Sequence, residues 1–286
     1  MKYETYSEYN PQRMAFSEGA LLTIWPILEP WHDDLVLVGG LVPRYICGDV
    51  ASARDLPRPV TMDADLGIAL GASAGGMSSL KMTLADAQFR QSKSAEGLIR
   101  YEKQVGQFSV PLDFLTDAPP HTHGSASVDD IIANVLPGVD RALKISRLTK
   151  ITGNDLAGQP QSATVRVCEA GPFLAMKLRA FARRQAPKDV FDILYTLLHY
   201  DLGTNAAVTA FGEEVRAGNP ACPDAVACLN QHFRDEQSSA PIRAASFVLG
   251  QAAPGESADI RFRRLQIQQD MVDAGRLLRA VTPATG

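Results

Sequence analysis

Hydrophobic and polar positions fall into two textures that meet near residue 170. In the first, short apolar runs are separated by Gly, Pro, Asp and Ser clusters, the pattern of strands joined by turns. Asp34 to Val38 (DLVLV) predicts a strand broken by Gly39 and Gly40, and Leu41 to Ile46 then predicts a helix that tolerates Pro43 in its first turn. Met62 to Leu70 (MDADLGIAL) and Gln107 to Leu115 (QFSVPLDFL) predict two more strands, the second marked by Pro111 as an edge or a distortion. Ahead of these, Ser17 reads as the N-cap of a helix through Ile27, with Glu18 in its first turn and Pro30 near its end. Residues 49 to 60 read as a loop, GASAGGMSS as a linker, Ser79 to Ser92 as a helix, and Thr116 to Ser127 as a loop. Val128 to Val135 reads as a helix, and Ala142 to Lys150 and Ala163 to Val167 as strands.

From Pro172 onward the apolar period becomes helical, over Phe173 to Arg184, Lys188 to Tyr200, Asn205 to Arg216, Pro223 to Arg234 and Asp259 to Ala280. The two textures predict an α/β (α+β) protein with a core domain over residues 1–170 and a helical C-terminal domain over 171–286. No repeat of fixed period runs through the chain.

Composition narrows the function classes. A formal charge of -4 argues against a protein that coats nucleic acid non-specifically, which needs many Lys and Arg against phosphates. Cys47, Cys168, Cys222 and Cys228 are scattered, which fits reduced thiols better than a zinc site or a disulfide scaffold. The start, MKYETYSEYNPQR, lacks the apolar core of a signal, and no apolar run reaches the roughly 18 residues of a membrane span, so a cytoplasmic protein is expected.

The chemistry lies in three of the strand-like segments. Side chains alternate along a strand, so Asp63 and Asp65 project from one face while Ala64 and Leu66 turn to the other. Two bare carboxylates at one spot repel, and a hard divalent cation such as magnesium relieves them. Asp113, on a neighbouring strand, would bring a third acid, and three acids suffice for a two-metal site. Gly39 and Gly40, at the head of a helix, offer backbone N–H groups to a phosphate, with Arg44 one turn further along.

The ordered set LVLVGGLVPR, TMDADLGIAL and SVPLDFL resembles the DNA-polymerase-β-like nucleotidyltransferase superfamily. MKLRAFARRQAPKDVFDILYTL, Met176 to Leu197, is similar to the helical motif of its AbiEii-type (type IV toxin-like) members. The resemblance spans residues 34 to 197. It implies a mixed, mostly antiparallel sheet with flanking helices, and transfer of a nucleoside monophosphate from an NTP to an acceptor with release of pyrophosphate. It makes Asp63, Asp65 and Asp113 the Mg2+ ligands, Gly39 and Gly40 the nucleotide-phosphate turn, and Lys177 the triphosphate contact. Arg183, Lys188, Asp189 and Asp192 match the second helical motif, with Asp192 the member implied to reach the nucleotide. The implied partners are an acceptor RNA (the 3′ end of tRNA) or protein and a cognate antitoxin. Two departures stand out: Gly40 occupies a position often held by Ser, and 22 residues separate Gly40 from Asp63, a long spacer that includes Arg54 and Arg58.

Blander roles compete at several positions. Lys177 lies among Arg179, Arg183, Arg184 and Lys188, as on a solvated helix face, and Lys188 with Asp192 has the spacing of a surface i,i+4 pair. His121 and His123 flank Thr122 in a proline-rich loop, where a metal site would want an acid or Cys nearby. Trp25 and Trp31 read as packing for the first helix, and RFRRLQIQQD as either a basic interface or a solvated face. Two other functions fit the same residues: a small-molecule nucleotidyltransferase, and a catalytically silent module that uses the fold to bind a partner.

Overall fold

The computed structural model describes residues 3–48, 56–74, 79–120 and 123–282, and the chain divides into two compact units. One consists of Asn10–Tyr45 and Val60–Glu169; the other gathers Met1–Tyr9, Ile46–Pro59 and Ala170–Gly286. Asp49, Arg54 and Asp55 of the predicted loop, part of the GASAGGMSS linker, and His121 lie outside the described residues.

The first unit is built on one sheet. Among the described residues its strands are β1 (Leu35–Val38), β2 (Ala64–Ile68), β3 (Arg90–Lys93), β4 (Ile99–Val105), β5 (Phe108–Thr116), β6 (Ser125–Val128), β7 (Ile131–Val135), β8 (Ser146–Asn154) and β9 (Pro160–Cys168). They run in the order β3-β4-β5-β2-β1-β9-β8, with β7 also on β5 and β6 on β7. Pairings β1–β9, β2–β5 and β5–β7 are parallel and the others antiparallel, so the protein is α/β with a mixed, mostly antiparallel open sheet.

β1 is buried along its whole length, as its unbroken run of Leu and Val requires. On β5, Phe108 points to α1 (Pro11–Ile24), where Phe16 meets its ring at 5.6 Å. Asp113, five residues on, points to the opposite face. α4 (Val139–Lys144) closes on β1 and β2 over Gly67, where an added Cβ would come within 2.9 Å of Val139 and Val36. Trp25 and Trp31 are buried beside α1, and Trp25 donates its indole N–H to the Thr164 carbonyl at 2.9 Å.

Several local expectations are corrected. The first helix starts at Pro11 behind the Asn10 cap, whose side-chain Oδ1 accepts from the Gln12 and Arg13 N–H groups, so Ser17 is interior and donates to the Met14 carbonyl. Only Leu80–Asp86 (α3) of the predicted Ser79–Ser92 helix is helical; Gln88 adopts φ +67° and the chain turns into the β3–β4 hairpin. Val128 to Val135 is a strand turn, not a helix, with Asp129 at φ +52° joining β6 to β7. Ala142 lies in α4, ahead of β8. Pro111 sits in an interior strand: β4 pairs with it through Glu102, but the ladder with β2 begins only at Leu112. Its other flank therefore lacks a ladder partner that would need an N–H.

The second unit is helical: α5 (Ala170–Arg184), α6 (Pro187–His199), α7 (Thr204–Arg216), α8 (Cys222–His232), α9 (Ser239–Leu249) and α10 (Ala258–Ala280). α9 was not foreseen. Two earlier segments join these helices. Gly48 donates its backbone N–H to the His199 carbonyl at 3.0 Å, and Tyr6 and Tyr9 set their rings edge-on to Phe247. Among the described residues no helix is long and apolar enough to cross a membrane.

Candidate metal centre

β2 and β5 are parallel and in register, so that Asp65 stands beside Asp113. Asp63 precedes β2 by one residue, on the face that Asp65 shares. Each of Asp63, Asp65 and Asp113 offers a carboxylate oxygen, and these three atoms lie within 4.8 Å of one another. The Thr61 hydroxyl, from a buried side chain, donates to Asp63 Oδ1 at 2.5 Å.

Asp113 is the most enclosed of the three acids, and its carboxyl is pushed up to about 7. Burial is the main cause; the charges of Asp65 and Asp63 add to it and Arg100 opposes it. Arg100 reaches Asp113 from β4, one residue from the Tyr101–Leu112 pairing, and its Nη2 donates to Asp113 Oδ2 at 2.8 Å. Asp113 Oδ1 is buried and accepts no hydrogen bond. A buried carboxylate oxygen in that state is costly unless a cation or donor meets it. Three converging carboxylates, one with an orphaned oxygen, form an oxygen-only ligand set suited to a hard cation such as Mg2+ or Mn2+ rather than to zinc.

Gly39 has a second reason to be glycine. Its φ is +71°, and an added Cβ would lie 1.8 Å from Asp65 Oδ2 and 2.7 Å from Asp65 Cβ, so the turn packs directly on one of the three clustered acids. Gly39–Leu41 form one turn of 3-10 helix, and α2 (Pro43–Ile46) follows it. Arg44 is drawn towards α1: its Nη2 donates to Glu18 Oε2 at 3.2 Å, while the Tyr45 hydroxyl donates to Glu18 Oε1 at 2.6 Å. Burial and the Glu18 charge raise the Tyr45 hydroxyl well above its ordinary value.

The helical motif is equally ordered in its own unit. Lys177 Nζ from α5 donates to Asp192 Oδ2 at 2.8 Å and to Asp189 Oδ1 at 3.3 Å, joining two acids that share a face of α6. Lys188 Nζ donates to the same Asp192 Oδ2 at 2.5 Å, and Arg184 grips Asp189 through both carboxylate oxygens at 2.6 and 2.7 Å. Lys177, Lys188, Asp189 and Asp192 are all buried, which excludes the solvated-face reading. Burial alone would lower both lysines. For Lys177 the charges of Asp192 and Asp189 outweigh it and the amine is raised, whereas Lys188, also close to Lys177, stays lowered. Asp192 Oδ1 keeps no hydrogen-bond partner. Arg183 instead meets Asp224 at 3.2 Å.

Two contributors escaped the sequence reading. Arg100 lies in a segment it left unassigned, although Ile99 and Tyr101 turn inward around it as an alternating strand would. Thr61 could be found only from its spacing to Asp63. A scan against protein-family models, a search of curated proteins and a search of solved structures each find no match to this chain, so its assignment rests on its own residues.

Proposed function

We propose that the protein is a metal-dependent nucleotidyltransferase that moves a nucleoside monophosphate from an NTP to an acceptor hydroxyl and releases pyrophosphate. The observation that carries this reading is the convergence of Asp63, Asp65 and Asp113 across two parallel strands, with one buried oxygen of Asp113 left without a partner. Asp63, Asp65 and Asp113 would hold Mg2+, in one or two ions. When bound there, the metal supplies charge neutralisation along the phosphates and a lower pKa for the attacking hydroxyl. Asp113 would also be the candidate base for the proton of that hydroxyl. The Gly39–Gly40 turn, packed on Asp65, supports phosphate binding by backbone N–H groups next to the acids.

The sequence motifs extend the proposal to an AbiEii-like toxin or phage-defence enzyme acting in the cytoplasm, with the tRNA 3′ end or a protein as acceptor and a cognate antitoxin as partner. Lys177 and Asp192 enter as nucleotide ligands through that motif alone.

The test is transfer of label from each α-³²P-NTP, with Mg2+, to total tRNA, to protein and to no added acceptor, with wild type beside Asp65→Ala. Label that disappears in the variant is the expected result, with a loss of at least about a thousandfold for a ligand shared by the metal and the reaction. No label anywhere, together with no calorimetric binding of Mg-NTP by folded protein, would sink the enzyme reading and leave a partner-binding module.

A further inference from the structure

Arg100 lies on β4, the strand beyond Asp113 as seen from Asp65, so the row of side chains across the sheet runs Asp65, Asp113, Arg100. Its Nη2 occupies Asp113 Oδ2 at 2.8 Å, Asp113 Oδ1 accepts no hydrogen bond, and the Arg100 Nε is itself buried without a partner. A carboxylate on a strand can rotate about two side-chain bonds; a guanidinium fixed on one oxygen removes that freedom and settles which oxygen remains. Electrostatics alone argues the other way, because a guanidinium beside an acid cluster repels an incoming cation. The two effects therefore predict opposite consequences of removing the arginine.

We infer that Arg100 is a positioning residue of the divalent-cation site, anchoring Asp113 Oδ2 so that Oδ1 is presented to the cation held by Asp63 and Asp65. The inference rests on the reading of the three acids as metal ligands. It concerns the order of the ligand set before any nucleotide arrives, so nucleotide transfer is not needed to test it.

The experiment titrates Mn2+ alone into the 286-residue chain and follows the free-ion signal by electron paramagnetic resonance, for wild type, Arg100→Lys, Arg100→Met and Asp65→Asn. Thermal melts accompany each variant. Arg100→Met should weaken Mn2+ binding by about tenfold or more, the scale on which groups that orient metal ligands act, and Arg100→Lys should recover most of the loss. Arg100→Met that binds Mn2+ as tightly as wild type, or more tightly, overturns the inference and makes Arg100 a plain counter-charge. If Arg100→Met does not fold, Arg100→Leu, uncharged and likewise without a donor, is read by the same two outcomes. A wild-type chain that takes up no Mn2+ overturns the cation site itself, a result distinct from a failure confined to Arg100.

Discussion

Burial and two acidic neighbours raise the Asp113 carboxyl to about 7 while Arg100 pulls it back, and this balance has a measurable consequence. An aspartate in an unfolded chain titrates near 4, so between about pH 4 and pH 7 the folded protein keeps a proton that the unfolded chain has released. Metal-free protein should therefore lose stability as pH rises through this window, by on the order of 2–4 kcal/mol from this group. Asp113→Asn should remove most of that slope, as measured by urea unfolding in EDTA at a series of pH values. Equal slopes in variant and wild type would assign the proton elsewhere. The three acids were legible in the sequence because a strand alternates and because an apolar run follows Asp65 and flanks Asp113, which fixes the register of each. Arg100 was not, since Arg100, Glu102, Lys103 and Gln104 crowd one strand and blur its alternation.

α5 and α6 are tied by charge as well as by apolar packing. Lys177 joins Asp192 and Asp189, and all three side chains are withdrawn from water. Removing one partner from such a group leaves a buried charge uncompensated, so Lys177→Met should cost about 3–5 kcal/mol of folding stability. Urea unfolding followed by circular dichroism measures it, and a cost below about 1 kcal/mol would mean that the remaining lysine and arginine suffice. The sequence bounds these helices to within three residues at each end, because long amphipathic periods leave few alternatives. The hairpins were harder. β3 is a polar, largely exposed strand that carries no apolar signature, and the β6–β7 turn uses Asp129 in the left-handed region instead of glycine. Ser17 misled for a different reason: its hydroxyl donates back to the Met14 carbonyl inside the helix, where a cap's oxygen would accept from an N–H ahead of it.

The whole molecule is less linear than its two textures suggest. A boundary near residue 170 is visible in the hydrophobic pattern, but the helical unit also takes Met1–Tyr9 and Ile46–Pro59 from the other half of the chain. Nothing in those polar and proline-bearing stretches marks them as belonging with helices more than a hundred residues away; Tyr6 and Tyr9 do so only through their contacts with Phe191 and Phe247. Deleting residues 1–9 should therefore lower hydrogen-exchange protection in α6 and α9 and leave β2 and β5 unchanged, with each lost aromatic pair worth about 0.5–1.5 kcal/mol. Protection lost equally in both units would contradict the division. The same threading also sets a timetable. A ribosome delivers the chain from its first residue at roughly 5–20 residues per second, so the sheet has all its strands once Glu169 emerges, while two stretches made earlier wait several seconds or more for the helices that will hold them.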